Sequence, residues 1–521
     1  MDSIQEEDWK NQRRNIKVRI IEKMKEKIRS WLNVRPADPS YFDIVETLDY
    51  EGNAIKNRIW YRGDSNELQQ LYEQLNNGVD KYKFWACKST EGMEIRKLHT
   101  GVPGTIVNML ATVSLSDMND FDFKSNGDKE IWEQIDKESK FVKRLEKAVR
   151  ETLYIGDGAY KISFDQSFSE YPVIEFYPGD EIEIISDRGR TKEIIFRTIY
   201  KEQGKTYILK EHYGYGYVKN HLFCKDEEVP LDTIPQTAGL VDIYFSGANE
   251  EGLKGKYMLA TQVSFYESTK WKDRGQSIFD TKTDSFDSLD ETWSQWMDAL
   301  RAGRTKEYIP ENLIPRNQQN GELLKPNPFD NRFIKVESPM GEGSKDVIQV
   351  TQPVIQHESY TASYITALDQ CMQGLISPST MGIDVKKLDN AEAQREKEKA
   401  TLYTRNAIVS ALSEEVPKIV SAAVMFYKEL HVTDGQTLEP VEVTVDFGEY
   451  ANPSFESQIE TIGKGRTNGI ISVEAAIDEL YGDSKDEDWK KKEVKRLKEE
   501  QGISTMEEPA VNLEGVDFDE V

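Results

Sequence analysis

The chain has 521 residues, enough for two to four domains and a sizeable core. Its apolar share of 38% is low and its charged share of 31% is high, a balance that suits an elongated subunit sharing interfaces with neighbours. A formal net charge of -26 excludes ordinary nucleic-acid binding, which needs Lys and Arg to neutralise phosphates, and argues equally against docking on an anionic membrane.

Cys87, Cys224 and Cys371 are odd in number and far apart, which points to a reducing compartment without a disulfide framework. No CxxC or HxxH pair is present, so neither a structural zinc nor another cofactor is expected. There is no signal peptide and no apolar run of about twenty residues; the chain is expected to be soluble and cytoplasmic when made, with no membrane partner.

In chain order, residues 12–33 form a basic amphipathic helix with Ile16, Ile20, Ile21, Met24, Ile28, Trp31 and Leu32 on its apolar face. It reads either as a membrane or partner-docking helix or, more simply, as a helix packed on its own acidic domain. The run Asn57-Arg58-Ile59-Trp60-Tyr61-Arg62-Gly63-Asp64 precedes a helix carrying Leu68, Leu71, Tyr72 and Leu75. A buried helix follows with Val102, Ile106, Val107, Met109 and Leu110; His99 before it has no companion at metal spacing and reads as structural.

From Tyr154 the period changes to two. Ile155 to Tyr160 is read as a turn, with strands following through Ile162, Ile174, Ile184, Ile194, Phe196 and Leu209. Breaks at 178–180, 187–189 and 203–204 predict hairpins. Asp157 between two glycines could belong to a metal or phosphate loop, but no P-loop lysine follows, and a hairpin turn is the simpler reading. The tyrosines of Tyr213-Gly214-Tyr215-Gly216-Tyr217 could stack bases or be solvent-facing strand residues.

The stretch 284–430 organises the chain. Phe286, Leu289, Trp293, Met297 and Leu300 predict a helix capped by Asp284 and stopped at Gly303. The proline-rich stretch 304–350 predicts a small β element whose edges pair with another copy of itself. A second helix is expected from near Gln352-Pro353, with Tyr360, Tyr364, Leu368, Met372 and Leu375 on one stripe. Asp389-Asn390-Ala391-Glu392 then opens a long third helix through Leu402, Val409, Leu412 and Val416, bending at Pro417. A strand with Val441, Val443, Val445 and Phe447 leads into short helices at 455–462, 472–480 and 487–500. The last holds a basic run from Lys490 to Lys498, and the acidic stretch 507–521, poor in core residues, is expected to be disordered.

Several motifs in this order resemble the portal proteins of tailed double-stranded DNA bacteriophages, particularly the long-tailed phages of Gram-positive hosts. They are Ile59-Trp60-Tyr61-Arg62-Gly63-Asp64, Gly156-Asp157-Gly158-Ala159 and Gly275-Gln276-Ser277-Ile278-Phe279. After these come Ile376-Ser377-Pro378-Ser379-Thr380-Met381-Gly382-Ile383-Asp384, Asn390-Ala391-Glu392-Ala393-Gln394-Arg395-Glu396, and Ala475-Ala476-Ile477-Asp478-Glu479-Leu480-Tyr481-Gly482.

The resemblance implies an α+β portal fold with β-rich wing, helical stem, small α/β clip and helical crown. The wing would be 36–275 with 391–450, the stem helices 276–303 and 351–376, the clip 304–350, the tunnel loop 377–390 and the crown 451–500. Residues 1–35 and 501–521 fall outside. It implies a homo-oligomeric ring, usually of twelve, at one capsid vertex, with double-stranded DNA passing through its centre. Its partners would be the large terminase (the packaging ATPase), the head-to-tail adaptor and the major capsid or scaffold protein.

On that reading the tunnel lining is Asp284, Asp287, Asp290, Glu291 and Asp298, with Lys386 and Lys387 in a loop that also holds Ser377, Pro378, Gly382, Asp384 and Asn390. An acidic wall repels the duplex and keeps it centred, over the ~8–10 Å that salt leaves unscreened. The same acids could equally solvate an outer helix face. Glu307, Lys325 and Arg332 would meet the clip's partners. No P-loop is present, so the chain is not expected to hydrolyse ATP. The rivals are another non-enzymatic capsid scaffold or connector, and a two-metal nuclease built on the acids of 284–298, which sit on one helix where no His or Lys partner is expected.

Overall fold

The computed structural model describes residues 48–75, 82–88, 95–165, 169–248, 255–310, 316, 319, 321, 333–336, 349–383, 391–431, 440–448, 455–481 and 487–500. The helices are α1 (Tyr50–Arg62), α2 (Ser65–Leu75), α3 (Val102–Leu115), α4 (Asn126–Ser139), α5 (Phe141–Ile155), α6 (Thr283–Ala302), α7 (His357–Met372), α8 (Ala391–His431), α9 (Phe455–Thr467), α10 (Val473–Tyr481) and α11 (Glu487–Glu500). The strands are β1 (Asp122–Phe123), β2 (Asp157–Ser163), β3 (Val173–Pro178), β4 (Ile182–Asp187), β5 (Arg190–Glu202), β6 (Lys205–Gly214) and β7 (Tyr217–Cys224). They continue with β8 (Glu227–Val229), β9 (Ile243–Tyr244), β10 (Ala260–Ser264), β11 (Lys306–Pro310), β12 (Phe333–Val336), β13 (Gln349–Thr351) and β14 (Val443–Thr444). Helices and mostly antiparallel sheets occupy separate stretches, so the class is α+β, as the resemblance implies. The expected helix at 12–33 and the acidic stretch 507–521 lie outside the described residues.

The chain forms two compact units, one from residues up to 107 with 147–163 and 174–373, the other from 108–146, 164–173 and 374 onward. In the first, β4-β5-β6-β7-β8 is an antiparallel meander with β9 added to β7. Its tight turns are two residues long. Arg188-Gly189, Gln203-Gly204 and Lys225-Asp226 all have positive φ, the primed-turn geometry that matches the twist of the flanking strands. Tyr207, Leu209, Leu222 and Ile234 form the core beneath it. Tyr213 is not solvent-facing as the alternation suggested; it is buried and its ring meets that of Phe196 at 5.1 Å, while Tyr215 at the turn is exposed.

A second sheet, β10-β2-β3, corrects the reading of 155–160 as a turn. Gly156 alone turns, with φ 126°, and β2 starts at Asp157 and pairs with β10 from Ser264 to Ala260. The Trp60–Asp64 motif is a helix stop followed by a helix start. Gly63 adopts φ 71° and its N–H closes α1 on the Ile59 carbonyl, while Asp64 accepts from Asn66 N at 2.7 Å and Glu67 N at 3.2 Å to cap α2. Trp60 is fully buried, ringed by Tyr72, His99 and Phe286, and its indole donates to Tyr72.

In the second unit Phe121, Phe123, Trp132 and Phe141 form an aromatic cluster beside the β1–β14 pair. α8 runs through Pro417 to His431 as one helix, burying Ile408, Leu412, Val416, Val420 and Val424. Around 401–405 it buries polar residues instead, Thr401, Thr404 and Arg405. Arg405 is 2% exposed and donates to the carbonyls of Val113, Phe447 and Gly448. α10 starts as expected, with Ser472 accepting from Ala475 N at 3.1 Å.

Candidate functional site

The element 283–372 is two helices joined through a small sheet. β11 lies between β12, which it pairs in parallel, and β13, which it pairs antiparallel with Lys306 opposite Thr351. α6 starts at Thr283, with Lys282 at the cap position, so Asp284 does not cap it. α7 starts at His357 rather than near Pro353. Their distal halves are stapled by aromatics: Trp293 meets Tyr364 at 5.4 Å between ring centres, and Trp296 stacks on Tyr360 at 6.4 Å. Beside this contact lies a cleft of 660 Å³ with Asp298, Ala302, Val354, Ile355 and Tyr360 in its wall.

The lower half of α6 overturns part of the tunnel assignment. Asp287 and Asp290 are 6% and 0% exposed and point into their own unit, so they do not line a passage. Asp287 accepts from Phe84 N at 2.8 Å and from Trp85 N at 3.3 Å. Asp290 accepts from the Trp85 indole, Thr100 N and Thr100 Oγ1, and pairs with His99 Nδ1 at 2.7 Å. Ser294 Oγ, four residues on, accepts from Leu98 N. The spacing 284, 287, 290, 294 puts these groups on one helix face, and that face fastens segments 83–87 and 97–100 onto α6. Burial pushes the Asp287 carboxyl up to about 6, against the opposing pull of its two backbone donors. Burial also pushes the Cys371 thiol up to about 12.

The other acids of α6 are reachable. Asp284 is exposed and pairs with Lys83, Glu291 accepts from Gln295, and Asp298 lies 3.7 Å from Arg301. In the loop, Ser377 is buried and anchored: its N–H donates to Thr401 Oγ1 at 2.8 Å, and its hydroxyl meets that of Ser379 at 2.6 Å. Pro378 and Gly382 form the tight turn that follows, closed by Ile383 N on the Pro378 carbonyl. Asp384, Lys386, Lys387 and Asn390 lie outside the described residues, as do Lys325 and Arg332. Glu307 sits in β11, opposite Phe333 and Val350.

What holds the base of α6 was not recognised from the sequence. Asp157 is fully buried and receives Arg274 Nε and Nη2, both at 2.8 Å, the Tyr50 hydroxyl at 2.6 Å and Gly275 N at 2.8 Å. Arg274 also donates to the Gly179 carbonyl and covers the Tyr50 ring at 3.7 Å. Burial and the adjacent Asp157 carboxylate push the Tyr50 hydroxyl up. A Cβ on Gly275 would stand 2.2 Å from the Gly156 carbonyl oxygen, so these two backbones meet only as glycines. Ser277 then donates to Tyr154 O, and Asp280 accepts from Asn53 and Asn57 of α1. The Gly-Asp-Gly and Gly-Gln-Ser motifs are therefore two sides of one joint. A glycine-flanked Asp and a single Arg beside a distant glycine were the available signals.

Among the described residues no group of three His, Cys, Asp or Glu is placed to hold a metal ion, and no helix is long and apolar enough to cross a membrane. Two helices bridged by a small sheet, with buried acids of α6 used as internal fasteners, belong to a fold of the α+β class. The chain belongs to the phage portal protein family described as SPP1 Gp6-like, which matches residues 50–504. It is a structural, non-enzymatic protein. Among solved structures it is similar to a chain of the virion of a native gene transfer agent (GTA) particle, with 13% identity over 71% of this chain and 87% of that one at a TM-score of 0.36. A chain from the neck of the native particle computed with C12 symmetry gives 12% identity, 73% and 89% coverage and a TM-score of 0.36. No curated protein matches the chain.

Proposed function

We propose that the chain assembles as a closed ring, of twelve copies as the family resemblance implies, at one capsid vertex. Double-stranded DNA passes through its centre during packaging and ejection. In this reading α6 and α7 are the stem, β11–β13 belong to the clip, α9–α11 to the crown, and residues 377–390 to the loop nearest the DNA. The large terminase docks on the clip during packaging and the head-to-tail adaptor afterwards, while the wing meets the capsid or scaffold protein.

The observation that carries the proposal is family membership over 50–504, joined to a helix–sheet–helix element that leaves apolar surface uncovered. Leu300, Val350 and Val354 are 42%, 60% and 92% exposed in one chain, and β12 and β13 are edge strands among the described residues. A second copy would cover such residues and edges. The acids left for the wall are Asp284, Glu291 and Asp298, and the cations are Lys386 and Lys387. Native mass spectrometry and negative-stain imaging test this: a closed ring with a central hole is expected, and a monomer at micromolar concentration and physiological salt would refute it.

A further inference from the structure

The portal reading leaves the basic run of α11 without a role. α11 packs on α10 through the rings of Tyr481 and Trp489, 4.9 Å apart, and through the ion pairs Lys490–Asp478 and Lys498–Glu474. Those two lysines are occupied. Lys491, Lys492 and Lys495 are exposed, stand on one side of the helix, and make no ion pair among the described residues. Lys491 also stands in the lining of a groove of 390 Å³ between the two helices, whose apolar wall is Ala475, Ile477 and Val494. The acids in its lining, Glu474 and Asp478, are already neutralised by Lys498 and Lys490.

A groove with apolar walls, with Lys491 in its lining and the exposed Lys495 one turn further along the helix, fits an acidic peptide whose carboxylates alternate with apolar side chains. Residues 507–521 of this chain have that composition: six acids, no base, and Val511, Leu513, Val516 and Phe518 between them. Six residues, 501–506, separate this segment from the end of α11 and span up to ~20 Å when extended. Lys491 lies nine residues back along the helix, ~13.5 Å away, so the connection reaches it. We propose that the acidic segment 507–521 docks on its own α10–α11 groove. Its carboxylates meet Lys491 and, along the helix, Lys495, and its apolar residues lie against Ala475, Ile477 and Val494. While docked it covers these lysines against other polyanions. The proposal does not rest on the portal reading.

The test titrates a fluorescently labelled peptide of residues 505–521 by anisotropy, at low and high salt, against three proteins. These are the full chain, a chain ending at residue 504, and that shorter chain with Lys491→Glu, Lys492→Glu and Lys495→Glu. The tethered segment competes at roughly millimolar effective concentration, so the shortened chain should bind the peptide at least ~10-fold more tightly than the full chain. Charge reversal and high salt should each weaken that binding by at least ~10-fold. A second triple variant to Gln, which keeps the side-chain bulk, serves if the reversal variant misfolds. Equal binding to full and shortened chains, or binding insensitive to both triple variants, overturns the proposal. So does a short DNA duplex that binds the shortened chain through the same lysines when the peptide does not, since the face would then belong to nucleic acid.

Discussion

Asp290 and His99 share a hydrogen bond of 2.7 Å in which both side chains are almost wholly buried. The acid sits mid-helix on α6, and the histidine belongs to the segment clamped against it. Asp290→Ala would leave His99 Nδ1, the Trp85 indole and both Thr100 donors without their acceptor. Loss of about 3 kcal/mol in unfolding free energy is expected, read as a lower urea midpoint. Asp290→Asn keeps one accepting oxygen and should lose less. Equal stability of the Ala variant would show that these donors find water instead.

Asp287 gives stability an unusual dependence on pH. Its folded carboxyl titrates at about 6, whereas an unfolded Asp titrates near ~3.9. The folded state therefore holds the extra proton between those values, so this group favours folding most at acid pH. Its contribution falls as pH rises to 6 and is flat above, a loss of about 2–3 kcal/mol. Asp287→Asn should remove that component, so the urea midpoint of the variant should fall less than that of the wild type between pH 4.5 and 7. Parallel curves would place the carboxylate in water.

The joint at Asp157 and Arg274 predicts strong coupling. Either single change to Ala strands a buried charge and should cost about 3–5 kcal/mol. The pair Asp157→Leu with Arg274→Met removes both charges and should cost less than the sum of the two single changes. Strict additivity in that double-mutant cycle would count against a direct interaction.

How much of this was legible in the sequence depends on what a residue touches. The apolar stripes of α6 and α7, the two-residue turns at 188–189 and 203–204, and the Ser472 start of α10 show in pattern and turn chemistry alone. The direction of an acidic face does not. Asp287 and Asp290 look identical to solvent-facing acids until segments 83–87 and 97–100 arrive with unpaired donors. Thr401 and Arg405 were missed likewise, because their helix face is buried through hydrogen bonds rather than hydrophobicity. The parallel pairing of β11 with β12 joins residues more than twenty positions apart and leaves no local trace.

Lys386→Ala with Lys387→Ala should leave ring assembly intact and impair late packaging or retention of DNA, most visibly at low salt. In the proposed ring each such phosphate contact would be worth only about 0–1 kcal/mol, and its repetition would give the hold. Glu291→Lys with Asp298→Lys should slow translocation by making the wall adhesive. DNA length per head across a salt series is the measurement. Unchanged packaging in the lysine variant would remove those residues from the mechanism, and silent charge reversals would put Glu291 and Asp298 on the outer face.

The pairing of β11 with β13 has a mechanical consequence. Each strand continues by a short link into its own helix, and the two run antiparallel, so α6 and α7 enter the sheet from the same end. A pull on the sheet along the helices is thus carried by two covalent backbones side by side. The hydrogen bonds between β11 and β13 are not sheared by that load. Spreading the helices apart, by contrast, peels the same bonds open one at a time, beginning at Lys306 and Thr351. The element is stiff to tension and compliant to splaying, and the Trp296–Tyr360 stack lies where splaying would first be resisted.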